Sequence, residues 1–163
     1  MKKLLIVYYS WSCGNTERTA KALQSVADGD LVRLDTAVPY SGSYNDVVDQ
    51  GQREVNAGFE LKPLPINVAD YDVIAVGTPT WWYTMAPAVK TFLHGQNFAG
   101  KTVVPFMTNG GWPGRVIKDM KAACPGADFA CDMQVKFDSN GGDHLETPES
   151  KINAWAQSVK ALL

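Results

Sequence analysis

The stretch Leu4-Leu5-Ile6-Val7-Tyr8-Tyr9, followed by Ser10-Trp11-Ser12-Cys13-Gly14-Asn15-Thr16, decides how the rest of the chain is arranged. Its first six residues are apolar with a β-branched and aromatic bias, which predicts a short strand buried on both faces. The next residues are small, hydroxylated or turn-forming, apart from Trp11. A helix is then predicted from Thr16, because apolar residues recur at helical spacing as far as Ala27.

A strand that passes through a hydroxyl-rich loop into a helix creates a site for a phosphate group. Backbone N–H groups and the positive end of the helix dipole point into one small volume there. The hydroxyls of Ser10, Ser12 and Thr16 add donors without adding charge. This favours a monophosphate that is bound without undergoing a reaction. The loop lacks the Gly-Lys-Ser/Thr ending of nucleoside-triphosphate loops and the three glycines of the dinucleotide fingerprint.

Apolar strands alternate with helical patterns along the remaining chain, which is typical of a parallel sheet covered on both faces. We therefore predict an α/β protein with a three-layer, doubly wound, five-stranded parallel sheet, built as one domain over residues 1–163. Further strands are predicted near Leu31–Leu34, Tyr71–Gly77, Lys101–Thr108 and Asp132–Phe137, and helices near Tyr44–Ala57, Ala86–His94, before Cys124 and from Pro148.

Composition excludes several classes of function. A net charge of −2 over 163 residues gives no support for nucleic-acid binding, which needs a basic surplus. Three cysteines without paired spacing favour a reducing compartment, and no stretch reaches membrane-spanning length, so we expect a cytoplasmic protein. His94 and His144 stand alone, so no metal site is predicted.

The loops after strands one, three and four are expected to face a common crevice, because ligands of such sheets bind beyond the carboxyl ends of the strands. The loop after strand three carries Trp81, Trp82 and Tyr83 in succession. Aromatic side chains at such an edge are costly unless they cover something, and a flat ring system such as isoalloxazine stacks well on them. The alternative is that these rings pack under neighbouring loops.

Three motifs together resemble the flavodoxin family. The first loop matches its phosphate loop with Cys13 as one extra residue, Gly77–Trp81 is similar to its flavin-wrapping loop, and Thr108–Gly111 is similar to its loop after strand four. The resemblance implies FMN as cofactor, a role in carrying electrons between redox partner proteins, and no catalytic residue. The residues that it places at FMN are Ser10, Trp11, Ser12, Cys13, Gly14, Asn15, Thr16, Pro79, Thr80, Trp81, Trp82, Tyr83, Thr108, Asn109, Gly110, Gly111 and Trp112.

The resemblance also implies a role for parts of this set. The residues from Ser10 to Thr16 would hold the phosphate, Thr80 the phosphate or ribityl chain, and Trp81 with Trp82 the ring. Asn109 and Gly110 would offer N–H groups to the pyrimidine edge, and Trp112 is a second candidate for stacking. Flavodoxins place a small residue where this chain has Trp82. Because bulky residues disfavour positive φ, we expect the one-electron-reduced flavin to be less stabilised here.

An FMN-dependent NAD(P)H:quinone or flavin reductase on the same fold is the main alternative. The run Pro87–Lys90 after Trp82 is similar to a run in such reductases, but no basic cluster accompanies the flavin loops beyond Arg115, so we favour the carrier. A phosphatase based on Cys13 would need Cys-x5-Arg, and Arg18 comes one residue too early. A phospho-accepting receiver would need acidic residues that the strand ends lack.

Overall fold

A computed structural model describes residues 2–11, 14–35, 61–139 and 142–163. Ser12, Cys13 and the helix predicted at Tyr44–Ala57 lie outside the described residues. The described strands are β1 (Leu4–Tyr8), β2 (Asp30–Arg33), β3 (Val73–Trp81), β4 (Thr84–Met85), β5 (Thr102–Asn109), β6 (Asp128–Phe129) and β7 (Met133–Lys136). The described α-helices are α1 (Asn15–Ala27), α2 (Pro87–His94), α3 (Val116–Ala122) and α4 (Glu149–Lys160).

The sheet is parallel in the order β2-β1-β3-β5, with β6 and β7 sharing the fifth position beside β5. The predicted doubly wound, five-stranded arrangement is therefore confirmed. The central strands β1, β3 and β5 are mostly buried because helices cover both faces of the sheet. Side chains of α1 and α4 form one core layer with residues such as Ile6 and Phe106. Those of α2 and α3 form the other layer with residues such as Leu5 and Met107.

The fifth strand is interrupted, which the sequence did not predict. Strand β6 pairs with Thr102 and Val103, and β7 pairs with β5 from Phe106 onward. The interruption lies opposite Pro105, which has no N–H to donate to a neighbouring strand. Cys131 adopts a positive φ of 54° in the gap, and its carbonyl oxygen accepts a hydrogen bond of 2.6 Å from Trp155 Nε1. The closing helix therefore satisfies backbone that the sheet leaves unpaired.

The largest correction concerns the segment after Gly77. We expected a loop over Thr78–Tyr83, but β3 continues to Trp81 and folds back through an antiparallel pairing with β4. Trp82 and Tyr83 form the two-residue turn of this hairpin, with φ values of 51° and 64°. Bulky residues disfavour positive φ, but Trp82 adopts it, so that expectation was wrong for this position. A two-residue hairpin turn of type I′ needs positive φ at both positions, and the strand pairing enforces it here.

Two buried tyrosines resist ionisation. Burial, with the nearby Glu17 carboxylate, raises the pKa of Tyr8 to about 12, and a 2.7 Å hydrogen bond to Asp30 raises that of Tyr71 to about 12. Tyrosine in an unfolded chain ionises near pH 10, so this contribution to stability is complete below about pH 10 and is lost as the pH rises through about 12.

We therefore expect the free energy of unfolding to fall between these two pH values, as denaturant titrations at a series of pH values will measure. The Tyr71→Phe variant should show a shallower fall, because phenylalanine cannot ionise. An equal slope in both proteins would contradict the prediction.

Candidate functional site

The loop after β1 leads directly into the first turn of α1. Gly14 precedes the helix with a left-handed φ of 73°, a conformation that glycine adopts without steric cost. The backbone N–H of Glu17 donates to Ser10 Oγ at 3.2 Å, so the loop folds over the helix start. Ser10 and Thr16 are both buried. Hydroxyls and helix N–H groups are thus gathered in one place, as phosphate binding requires.

Threonine hydroxyls join the start of α1 to the ends of two strands. Thr16 Oγ1 and Thr108 Oγ1 lie 2.8 Å apart, both on buried residues, and Thr80 Oγ1 donates to the Thr108 carbonyl oxygen at 3.0 Å. These contacts link the start of α1 to the ends of β5 and β3. The three loops singled out in the sequence therefore do meet at one edge of the sheet.

This cluster keeps hydrogen-bonding capacity for a ligand. Ser10 Oγ accepts a bond from the Glu17 N–H, and among the described residues no acceptor takes its own hydroxyl hydrogen, which can therefore donate to a ligand. In the Thr16–Thr108 pair one hydroxyl donates to the other, so one hydrogen is likewise left over. Asn15 donates through Nδ2 to the Gly142 carbonyl oxygen at 3.0 Å, while its buried Oδ1 has no hydrogen-bond partner within the described part of the chain.

The aromatic residues divide into an inner and an outer group. Trp81 packs edge-to-face against Tyr9, with ring centroids 5.8 Å apart, and against Trp11 at 6.4 Å. This places an indole at the end of β3 beside the first loop. The outer rings are exposed at 41% for Trp82 and 59% each for Tyr83 and Trp112. Exposed rings on adjacent loops make this surface a candidate for binding a ligand or a partner.

The hairpin that carries Trp82 and Tyr83 is held in place by the segment after β5, from Gly114 to the first turn of α3. The backbone N–H of Arg115 donates to the Tyr83 carbonyl oxygen at 2.7 Å, and Gly114 lies so close that an added Cβ would come within 2.3 Å of the same oxygen. Thr84 also donates to the Asp119 carboxylate at 2.6 Å. The two loops therefore behave as one unit, and this unit maintains the positive φ values of the turn.

The remaining predicted residues lie at the end of β5, in the loop that follows it and in β3. Asn109 Oδ1 accepts a 2.7 Å hydrogen bond from the Gly111 N–H, so that donor is already used within the loop. Gly110 approaches the Asp138 carbonyl oxygen, which would lie 3.1 Å from an added Cβ. Pro79 is half-buried in β3. The structure thus brings these residues to the same edge as the phosphate loop.

The sequence missed one cation at this site. We predicted a loop lined by hydroxyls without lysine or arginine, but Arg33 Nη2 donates to the Ser10 carbonyl oxygen at 3.0 Å. The parallel pairing of β1 and β2 could have identified this arginine, because the register places Arg33 beside Tyr8 at the end of β1. Tyr9 and Gly114 were missed as well, since their roles depend on contacts with distant residues.

Neither a metal site nor a membrane-spanning helix is found among the described residues. No group of three or more His, Cys, Asp or Glu side chains arranged for a metal ion occurs in the described ranges. No helix in the same ranges combines the length and apolar character needed to cross a membrane.

The threonine pair gives a direct test of the contact between loops. Thr108→Val leaves the buried Thr16 hydroxyl without its partner, so we expect the free energy of unfolding to fall by about 1–3 kcal/mol. Replacing both residues by valine should cost less than the sum of the single changes, because no polar group is then left unpaired. Denaturant unfolding of the ligand-free protein measures both quantities, and additive effects would contradict the pairing.

The fold and the three-loop edge define a flavodoxin-like flavoprotein. The sequence profile of the family described as Flavodoxin matches residues 3–147. A protein from Bacteroides eggerthii DSM 20697, provisionally named a flavoprotein, is 30% identical and superposes with a TM-score of 0.76 over 99% of both chains. The chain belongs to the flavodoxin family.

Two further relatives are informative. A flavoprotein from Lactobacillus acidophilus NCFM, whose structure was determined in complex with FMN, is 22% identical and shares the fold, with a TM-score of 0.71 over 96% of this chain and 99% of that one. NAD(P)H dehydrogenase (quinone) 3 of Rhizobium meliloti (strain 1021) is 36% identical over 98 residues. That match covers 57% of this chain and 43% of the relative, so the similarity extends over less than half of that protein.

Proposed function

We propose that the protein binds FMN and carries electrons between redox partner proteins. The observation that supports this best is the threonine connection from Thr16 through Thr108 to Thr80. It joins a phosphate-binding helix start to a hairpin of exposed aromatic rings. FMN has a phosphate at one end and a planar ring at the other, so both halves of this edge have a matching group.

The residues present fit FMN. The spare hydroxyl hydrogens and the N-terminus of α1 suit the phosphate, and the buried Asn15 Oδ1 is an acceptor for a ligand hydroxyl. Bound FMN would supply the ring that accepts and gives up electrons, while the protein sets its orientation and surroundings. Trp82 does adopt a positive φ. The argument that this residue would leave the one-electron-reduced flavin less stabilised therefore no longer applies.

An NAD(P)H:quinone reductase is the second candidate, and the named relative from Rhizobium meliloti favours it. The charges near the aromatic loops support the carrier more. Arg115 lies 3.7 Å from the Asp119 carboxylate, and Lys136, which lies against Gly111, is 3.0 Å from Glu146. Cations already paired with carboxylates attract the phosphates of a pyridine nucleotide less strongly.

The cytoplasmic location of the protein stays a prediction.

Titration of the purified ligand-free protein with FMN and with riboflavin tests the proposal. We expect one FMN per chain and binding of riboflavin at least about ten-fold weaker, because riboflavin lacks the phosphate. Failure to take up FMN would overturn the proposed function. Oxidation of NADPH with a quinone acceptor then separates the two candidates, since a carrier should not exceed the rate given by free FMN.

A further inference from the structure

A carboxylate lies against the phosphate loop. Glu17 occupies the first turn of α1, and its Oε2 would be 3.9 Å from a Cβ added to Gly14. Hydrogen bonding from Lys21, and a further bond from Tyr8, lower the pKa of Glu17, so it is ionised at neutral pH. A negative charge there competes with a bound phosphate for the positive end of the same helix, because both are attracted to the unpaired N–H groups.

Arg33 contacts both the carboxylate and the loop. Its Nη1 lies 3.7 Å from Glu17 Oε2, the oxygen that faces Gly14, and its Nη2 donates to the Ser10 carbonyl oxygen at 3.0 Å. Ser10 is in turn bonded through Oγ to the Glu17 N–H. Arg33, Ser10 and Glu17 therefore form a closed set of contacts around an open cavity of about 350 Å3, which Trp11 and Gly14 also line.

We propose that Arg33 is a positioning residue that makes the loop selective for a phosphorylated flavin, by holding the Ser10 carbonyl oxygen in place and by completing the neutralisation of Glu17 that Lys21 begins. This inference rests on the proposed function, because the phosphorylated ligand is FMN. The Ser10 carbonyl would repel a phosphate dianion if it turned toward it, and the guanidinium prevents that rotation. Glu17 keeps its interaction with α1 while its charge is balanced by Lys21, 3.2 Å from Oε1, together with Arg33, which also pairs with Asp35 at 3.3 Å.

The proposal predicts a change in selectivity. Arg33→Gln should weaken FMN binding about ten-fold, the size expected when a hydrogen bond from a charged donor is lost, while riboflavin binding changes less than about two-fold. A role limited to general stability would weaken both flavins by the same factor. Arg33→Lys retains the positive charge beside Glu17 and should keep most of the preference for FMN.

Arg18→Gln is the matched control. Arg18 neighbours Glu17 in the first turn of α1 and is similarly exposed, but it contacts the Asp143 carbonyl oxygen and Glu149. Its removal takes away the same charge and should change the FMN to riboflavin ratio by less than about three-fold. A loss as large as that of Arg33→Gln would show a general charge effect and overturn the proposal.

A double variant tests the mechanism. Glu17→Gln combined with Arg33→Gln removes the repelling charge together with its partner, so FMN affinity should return to within about three-fold of that of Glu17→Gln alone. No recovery would contradict neutralisation of Glu17. If the unmodified protein binds no FMN, the proposed function itself fails. If it binds FMN and Arg33→Gln leaves the ratio unchanged, only this inference fails. Thermal unfolding of each ligand-free variant confirms that the fold is retained.

Discussion

Replacing Gly114 by alanine is expected to displace the aromatic hairpin and to weaken FMN binding by at least about ten-fold, which corresponds to about 1.4 kcal/mol. Gly114 has a φ of 55°, and an added Cβ would lie 2.3 Å from the carbonyl oxygen and 2.6 Å from the Cα of Tyr83. Both neighbours are backbone atoms, so no side chain can move aside. Fluorescence titration with FMN measures the loss of affinity.

Gly100→Ala is the control for backbone strain. Gly100 has a φ of 78°, and an added Cβ would meet no atom within 4 Å. Its cost is limited to placing alanine in a left-handed conformation, about 1–2 kcal/mol of stability. FMN affinity should stay within about two-fold of the unmodified value, because Gly100 precedes β5 and so lies at the end of the strands opposite the candidate site. Equal effects of the two changes on FMN affinity would contradict the close contact between the loops.

Gly77→Ala is expected to reduce the free energy of unfolding by about 3 kcal/mol, at the upper end of the range for overpacked cores. A Cβ at this position would come within 2.3 Å of the Phe106 ring. Phe106 is fully buried and packs against Trp155 with ring centroids 5.3 Å apart. Its ring therefore cannot easily move away from the added methyl group. For a domain of this size the loss corresponds to a fall of about 6–12 °C in the melting temperature.

Two variants make this prediction specific. Adding Phe106→Leu to Gly77→Ala should recover part of the lost stability, because the smaller side chain gives the new methyl group room. Gly95→Ala is the control, since the nearest atom to an added Cβ there is the Thr91 carbonyl oxygen at 3.3 Å and no positive φ is involved. Calorimetry measures the melting temperatures of Gly77→Ala, of the double variant and of Gly95→Ala against that of the unmodified protein. Equal melting temperatures for Gly77→Ala and Gly95→Ala would contradict the packing argument.

The local order of elements was readable from the sequence. The run Leu4–Tyr9 is apolar throughout because β1 is buried on both faces, and the last helix was placed within a residue of its start at Glu149. Patterns of this kind depend only on neighbours along the chain. The convergence of the three loops also followed, since parallel strands end at one edge of the sheet.

The sequence alone thus determined the fold class, the family and the edge of the sheet at which the three candidate loops meet. Only the tertiary structure decided the hairpin at Trp82 and Tyr83, the interruption of the fifth strand opposite Pro105, and the position of Arg33 beside Ser10. The physical reason is shared by all three. Each depends on atoms from distant parts of the chain, which impose a backbone conformation or a charge pairing that local preference does not contain.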